Sequence, residues 1–238
     1  IAVGALTACA GGSARGPADR LDVVATTGMV ADIAARIGGA RVDVRGLMGP
    51  GVDPHLYKAT AGDVRRLAGA DLVLYNGLHL EAAMGEVLEE MGRRKPTVAV
   101  AEVIPAAELS APPEFAGSFD PHVWFDVSMW SRVAQRIAQA LAETDTAHAA
   151  EYLERGAAVV DELDALHEWV HARVAEVPPE RRVLITAHDA FGYFADRYDF
   201  EVVGTVIPSG STLAEPSSAA LAALLESAPT GVEPSMPS

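Results

Sequence analysis

Residues 21–47 have the sequence LDVVATTGMVADIAARIGGARVDVRGL, which contains the patterns that decide the fold. Leu21 to Thr26 is a short run of mainly aliphatic residues, and it predicts a buried strand. Met29 to Ile37 has apolar residues at helical spacing and is followed by two glycines, so it predicts a helix that ends there. Arg41 to Leu47 predicts a second strand. A strand, a helix and a strand in this order are typical of a parallel sheet covered by helices.

The same alternation continues along the chain and predicts an α/β lobe over residues 21–146. A loop rich in proline, alanine and glycine interrupts it from Ile104 to Ser118. The predicted elements after residue 47 are helices at Thr60–Ala68, Leu80–Met91 and Val127–Glu143 and strands at Asp71–Tyr75 and Thr97–Val100. We therefore expect a parallel β-sheet with helices on both of its faces.

A long helix is predicted from Ala147 to Glu176. Its apolar residues fall on a single stripe, made of Val159, Leu163, Leu166, Val170 and Val174. A helix of this length between two sets of strands would be a stiff connection. We therefore expect residues 147–176 to form one rigid interlobe helix.

Residues 177–238 predict part of a second α/β lobe. Strands are expected at Arg182–Thr186 and Phe200–Val206, and helices at Asp189–Tyr198 and Pro216–Glu226. The segment from Ser227 to Ser238 contains three prolines and no periodicity. Because two parallel strands are too few for an independently stable sheet, we expect this second lobe to be truncated at its C-terminal end.

The N-terminal residues predict a lipoprotein signal. Ile1 to Ala8 is a run of small and apolar residues, and the Leu-Thr-Ala-Cys sequence that ends at Cys9 resembles a lipoprotein cleavage site. In this interpretation residues 1–8 end a signal peptide, Cys9 carries the lipid that anchors the protein to a membrane, and residues 9–20 form a flexible tether. The alternative is an incidental cysteine near a chain terminus. Cys9 is the only cysteine, so no intramolecular disulfide can form.

The composition is that of an acidic globular protein. Half of the 238 residues are hydrophobic, and the formal net charge is −15. The basic surface of a nucleic-acid-binding protein is therefore excluded. The acidity suits solubility, and it also suits a surface that attracts cations. We expect a monomer that does not bind nucleic acid.

Three of the seven histidines lie at predicted junctions between elements. His55 and His122 each follow an Asp-Pro pair, in which proline fixes the backbone and holds the preceding residue extended. His188 lies where a predicted strand ends and a helix begins, a usual place for ligands in open α/β sheets. Neutral imidazoles bind Zn²⁺ well and Mn²⁺ acceptably. Each histidine taken singly is also explained as a loop or N-cap residue, so the pattern alone leaves both interpretations open.

Five blocks of this sequence resemble the metal-binding lipoproteins of zinc and manganese ABC importers, the ZnuA/TroA-like or cluster A-I family. The resemblance runs from Asp22 to about Val203, with the blocks in the family's order. The blocks are TTGMVAD (26–32), GLMGPGVDPHLY (46–57), DLVLYNGLHLE (71–81), DPHVWFD (120–126) and RRVLITAHDAFGYF (181–194).

The resemblance implies that His55, His122 and His188 are three metal ligands in a cleft between two lobes. In the family the fourth ligand is an acidic residue near the end of the second lobe, and no residue of this chain can be assigned that role. The resemblance also implies a protein that is not an enzyme. It would hold Zn²⁺ or Mn²⁺ as transported ligand and deliver it to an ABC transporter permease from the cell surface or the periplasm.

Two features of the sequence bear on which metal is carried. A histidine rather than a carboxylate at position 188 favours Zn²⁺, which prefers nitrogen donors. Many zinc-dedicated members of the family carry a His-rich loop, and residues 105–119 contain no histidine, which leaves Mn²⁺ open. We expect zinc.

Four aspartates close to these histidines in the sequence are candidates to accept imidazole N–H bonds: Asp53, Asp120, Asp126 and Asp189. The turn chemistry of Asp-Pro explains the first two equally well.

Two other functions compete with metal transport. His167-Glu-Trp-Val-His171 matches the H-E-x-x-H pattern of zinc peptidases, with Glu168 as the general base. However, the extended motif would need a glycine at 174 and a histidine at 177, where both residues are valine, and the next predicted helix supplies no glutamate as a third ligand. The other competing function is a surface adhesin, a label attached to some relatives.

Overall fold

A computed structural model describes residues 20–207, except residues 113, 114 and 116, and it has the expected α/β architecture. Within the described part of the chain, six strands form a four-stranded and a two-stranded sheet, and all strand pairs are parallel. Residues 1–8, Cys9, the tether apart from Arg20 and the predicted helix at 216–226 lie outside the described residues.

The first sheet has the strand order β2-β1-β3-β4. Its strands are β1 (Leu21–Ala25), β2 (Val42–Gly46), β3 (Leu72–Tyr75) and β4 (Thr97–Ala99). The next strand in the chain, β2, lies on one side of β1, and β3 lies on the other side of β1. The carboxyl ends of β1 and β3 therefore flank the switch point of the sheet, where open α/β proteins bind ligands.

Helices cover both faces of this sheet. They are α1 (Gly28–Gly38), α2 (Ala61–Gly69), α3 (Gly85–Gly92), α4 (Val127–Thr144) and α5 (Ala149–Val174). Leu21, Val23 and Ala25 of β1 point into one buried cluster with α1, α4 and α5, while Val24 points into another with α2 and α3. Because β1 is buried on both faces, its sequence is a continuous apolar run, with Asp22 as the one exception.

The long helix α5 contains 26 residues, which corresponds to about 39 Å. A short 3₁₀ turn, Thr146–His148, precedes it, so the α-helix begins later and ends earlier than the predicted range. Its N-terminal part lies against α4 and α1, where Arg155 Nη2 donates to the Gly38 carbonyl at 3.0 Å. Its C-terminal part contacts the segment that follows it in the chain, since His167 Nδ1 lies 3.0 Å from the Tyr198 hydroxyl.

The second unit contains β5 (Val183–Thr186), α6 (Gly192–Tyr198) and β6 (Glu201–Thr205). Its helix begins three residues later than the sequence predicts, because residues 187–191 form an irregular connection between β5 and α6. Within the described ranges, no helix has both the length and the apolar character that crossing a bilayer requires.

The predicted helix at Leu80–Met91 is correct only in its second half. Leu78 and His79 adopt left-handed backbone conformations, with φ of 53° and 66°. The buried Glu81 carboxylate then accepts backbone N–H bonds from Asn76 at 2.8 Å and Gly77 at 3.1 Å. These bonds hold residues 76–81 as a loop, a 3₁₀ turn follows at Ala82–Met84, and the α-helix begins at Gly85.

Candidate metal centre

His55 lies in the loop that follows β2. The Asp53 carboxylate accepts a hydrogen bond of 2.9 Å from the His55 backbone N–H, which closes the Asp-Pro-His corner. The His55 ring is partly buried. The stiff corner therefore holds the imidazole at one place in the loop, as the proline in the sequence predicts.

His122 lies in the connection that leads into α4, and only 1% of its surface is exposed. Asp120 Oδ1 accepts two hydrogen bonds from it, one from the backbone N–H at 2.9 Å and one from ring Nδ1 at 2.6 Å. An ionised carboxylate can accept hydrogen bonds but cannot donate them. The proton in the bond between Asp120 and the His122 ring is therefore on ring Nδ1. The Nε2 lone pair is then available to a metal ion.

His188 lies in the irregular connection after β5. The Thr186 hydroxyl donates a hydrogen bond of 2.9 Å to the His188 carbonyl, which orders the backbone at this point. The ring is partly buried, and its Nδ1 has no hydrogen-bond partner among the described residues.

The structure brings these three imidazoles together. His122 Nε2 lies 3.2 Å from His55 Nε2 and 3.3 Å from His188 Nε2, and the candidate ligand atoms all lie within 4.8 Å of one another. Nitrogen ligands about 2.0–2.1 Å from a tetrahedral Zn²⁺ ion are separated by about 3.3 Å. Two of the three separations therefore already match those of nitrogens that share one ion.

The surroundings of the site favour neutral imidazoles. The pKa of His55 is lowered from 6.5 to about 4, chiefly by burial and in part by the neighbouring His122, while the Asp53 carboxylate acts in the opposite direction. Burial also lowers the pKa of His188, again with a contribution from His122. Because only a neutral imidazole has a free lone pair, the site keeps these rings in the form that binds metal.

The unit that carries His188 is held against the first sheet's unit by polar contacts close to the site. The Tyr193 hydroxyl donates to the Asp120 carbonyl at 2.9 Å, and Arg197 Nε donates to Asp126 Oδ2 at 2.7 Å. The rings of Phe125 and Phe191 stack with their centroids 4.3 Å apart. Sequence reasoning missed Arg197, since no local pattern connects it with an aspartate 71 residues away.

A buried polar network supports the His122 segment from the carboxyl ends of β1 and β3. Glu81 Oε1 accepts a hydrogen bond of 2.6 Å from the Thr26 hydroxyl, in addition to the bond from the Asn76 backbone. The Asn76 side chain donates to the Pro121 carbonyl at 3.1 Å, next to His122. The switch point of the sheet and the buried imidazole are therefore part of one hydrogen-bonded unit.

The four candidate aspartates have different roles. Asp120 bonds to an imidazole, whereas the hydrogen bond that Asp53 accepts comes from the His55 backbone. Among the described residues, Asp126 bonds to no imidazole: it caps α4 by accepting from the N–H groups of residues 128 and 129, and it pairs with Arg197. Asp189 lies close to His188, and its charge raises the pKa of His188, against the lowering that burial causes.

The H-E-x-x-H segment lies on α5, as the motif requires, but it lacks a third protein ligand in the described part of the chain. The rings of His167 and His171 are adjacent, with centroids 4.6 Å apart. Among the described residues, the only group of three or more metal-binding side chains is that of His55, His122 and His188. A peptidase site with three protein ligands is therefore not formed by these residues.

Comparison with known proteins agrees with the geometry. Residues 23–230 match the family described as ZnuA, zinc-uptake complex component A, periplasmic. The chain is 45% identical over 201 residues to the manganese-binding lipoprotein MntA of Bacillus subtilis, covering 84% of this chain and 65% of that protein. It is 47% identical over 207 residues to the zinc-binding protein TroA of Treponema pallidum, covering 86% and 67%.

The fold of the chain is also that of a solved relative. The structure of the periplasmic zinc binding protein TroA from Treponema pallidum superimposes with a TM-score of 0.82 at 45% identity, covering 87% of this chain and 74% of that chain. The chain spans about two thirds of the length of the two curated relatives, MntA and TroA.

Proposed function

The chain belongs to the ZnuA family of zinc-uptake components, and we propose that it captures Zn²⁺ outside the cytoplasmic membrane and delivers it to an ABC-type metal importer. In this proposal His55, His122 and His188 bind the ion as cargo, and no catalytic step takes place. The observation that carries the proposal is the convergence of three imidazole Nε2 atoms from distant segments, with two separations of 3.2 and 3.3 Å.

The donor set favours zinc over manganese. Three neutral nitrogen donors suit Zn²⁺, whereas Mn²⁺ prefers a larger share of carboxylate, carbonyl and water oxygens. A tetrahedral Zn²⁺ ion takes four donors, so three histidines require one more. The family resemblance predicts an acidic residue for that role. Manganese remains the competing cargo, since one relative is named a manganese-binding lipoprotein.

We further propose that the metal joins two lobes. His55 and His122 would belong to an N-terminal lobe over residues 21–146, and His188 to a C-terminal lobe that begins at residue 177. Helix α5, within the proposed interlobe segment 147–176, contacts both units and would limit their relative motion to a small tilt or to loop ordering. A permease could then release the ion by moving the His188 segment away from the other two ligands.

The cellular setting of this proposal follows from the N-terminal sequence and the family. Cys9 would carry a lipid anchor that holds a monomer at the outer side of the cytoplasmic membrane. The partners would be the permease and ATPase components of the importer. Labelling cells with a radioactive fatty acid tests the anchor, since Cys9→Ala should abolish incorporation into this protein.

Isothermal titration of Zn²⁺ and Mn²⁺ into the metal-free chain tests the proposed cargo site. His55→Ala should weaken Zn²⁺ binding by more than about 100-fold. Removal of a ligand's hydrogen-bond partner alone typically costs about 10- to 100-fold in metal affinity, and removal of the ligand itself should cost more. His148→Ala is the matched control, since His148 bonds to Asp145 and is not part of the cluster. Equal affinity for Zn²⁺ in the unmodified chain and in His55→Ala would refute the site, and tighter binding of Mn²⁺ than of Zn²⁺ would refute the choice of metal.

A further inference from the structure

A second pair of histidines lies on α5, outside the cluster of His55, His122 and His188. His167 and His171 are one helical turn apart, so their side chains extend from the same face of the helix. Their ring centroids are 4.6 Å apart, and the ring planes are inclined at 84°. Two imidazoles at this spacing can bind one ion together, which is how the H-E-x-x-H motif holds zinc.

The ring of His167 is held in place by a neighbouring helix. Its Nδ1 lies 3.0 Å from the hydroxyl of Tyr198 in α6, a residue that is only 1% exposed. A hydroxyl oxygen can accept a hydrogen bond, so Tyr198 can accept the N–H of the His167 ring. Metal-binding histidines commonly have their second nitrogen bonded to an oxygen in this way, and the arrangement leaves His167 Nε2 free for an ion.

The His171 ring is accessible from solvent. The residue is exposed, and within the described residues its ring contacts those of His167 and Tyr198 without a hydrogen bond to either nitrogen. The net charge of −15 also raises the local concentration of cations at the protein surface. One ring is therefore oriented by the fold, and the other is free to complete a chelate.

We propose that His167 and His171 form a second, weaker site for a late first-row divalent transition metal ion such as Cu²⁺, Ni²⁺ or Zn²⁺. The two imidazole nitrogens bind the ion, water fills the remaining positions, and any proton displaced from a ring goes to solvent. Two neutral imidazoles select these ions over Mg²⁺ and Ca²⁺, which prefer oxygen ligands. With two protein ligands instead of three, the site binds an exchangeable ion and does not form the centre of a peptidase.

Titration of Ni²⁺ into the full chain, loaded beforehand with one equivalent of Zn²⁺, tests this site. The unmodified chain should bind one further equivalent, and His171→Ala should weaken that binding by about 100-fold, because the second imidazole binds intramolecularly once the first has bound. Alanine suits an exposed helical position, so this variant should fold normally. His79→Asn removes an exposed histidine elsewhere and keeps a residue that tolerates its φ of 66°, and it should retain the second equivalent.

Two further measurements decide whether the histidine pair binds the ion. Glu168→Gln removes one charge on the same turn and should leave Ni²⁺ binding unchanged. Electron paramagnetic resonance of bound Cu²⁺ should show two nitrogen ligands in the unmodified chain and one in His171→Ala. Absence of a second equivalent, or its retention at full affinity in His171→Ala, would overturn the proposal. The same titration in His55→Ala keeps this test independent of the cargo site, since the weaker site should persist there.

Discussion

Replacement of Asp120 tests whether its hydrogen bond to the His122 ring prepares that ligand for metal. The two Asp-Pro-His corners provide a matched comparison. Asp120 Oδ1 contacts both the backbone N–H and ring Nδ1 of His122, whereas the hydrogen bond that Asp53 Oδ1 accepts in the described part of the chain comes from the backbone N–H of His55. Asparagine at either position removes one negative charge and keeps an oxygen acceptor for the backbone. The difference between the two variants therefore isolates the bond to the ring.

The expected magnitude follows from the strength of that bond. A charge-assisted hydrogen bond is about twice as strong as a neutral one, so Asp120→Asn should lose about 1–1.5 kcal/mol, or about five- to tenfold in the Kd for Zn²⁺. Asp120→Ala removes the acceptor altogether and should weaken binding by about 10- to 100-fold. Asp53→Asn should weaken binding by less than either variant, through the loss of a nearby charge alone.

The assay is a competition between the protein and a zinc chelator of known affinity, performed near neutral pH. Circular dichroism of the metal-free variants should show a folded chain before the affinities are compared. If Asp53→Asn and Asp120→Asn weaken Zn²⁺ binding equally, overall charge and not the oriented imidazole controls affinity, and the reasoning is refuted.

Two further predictions concern the stability of the metal-free chain, both measured by urea denaturation. An added Cβ at Gly156 would lie 2.5 Å from the Ala138 Cβ, so Gly156→Ala should force α4 and α5 apart and lower the free energy of unfolding by about 1–3 kcal/mol. Gly85→Ala, where an added Cβ meets nothing within 4 Å, should not destabilise the chain, and equal stability of both variants would contradict the packing argument. The free energy of unfolding should also fall as pH decreases from about 6.5 to about 4, because the unfolded chain then binds a proton at His55 that the folded chain, with its pKa of about 4, does not. His55 contributes at most about 3 kcal/mol to this fall, and less because its ring is partly exposed. If the free energy of unfolding of His55→Ala falls by the same amount over this pH range, His55 is not the source.

The sequence predicted the order of strands and helices because that order follows from local periodicity. The apolar runs at β1 and β3 and the helical stripe of α5 depend on which residues face the core, and the three elements lie close to their predicted positions. Of the predicted stripe on α5, Val159, Leu163 and Val174 are buried, whereas Leu166 is 44% exposed. Prediction was poorer at residues 80–84. There Leu80 and Met84 continue the helical spacing of Leu88 in the following helix. However, the buried Glu81 carboxylate holds residues 76–81 as a loop, and Ala82–Met84 forms a 3₁₀ turn.

The sequence by itself determined the fold class. Its Asp-Pro corners and a strand end made His55, His122 and His188 candidates, because these local features hold a side chain in a defined place, and the resemblance of the surrounding blocks to a known family indicated these three as ligands. Only the tertiary structure decided that their Nε2 atoms converge, that Asp120 orients an imidazole, and that Asp126 instead pairs with Arg197. Those outcomes depend on how segments far apart in the chain pack against one another, and no pattern within a single segment carries that information.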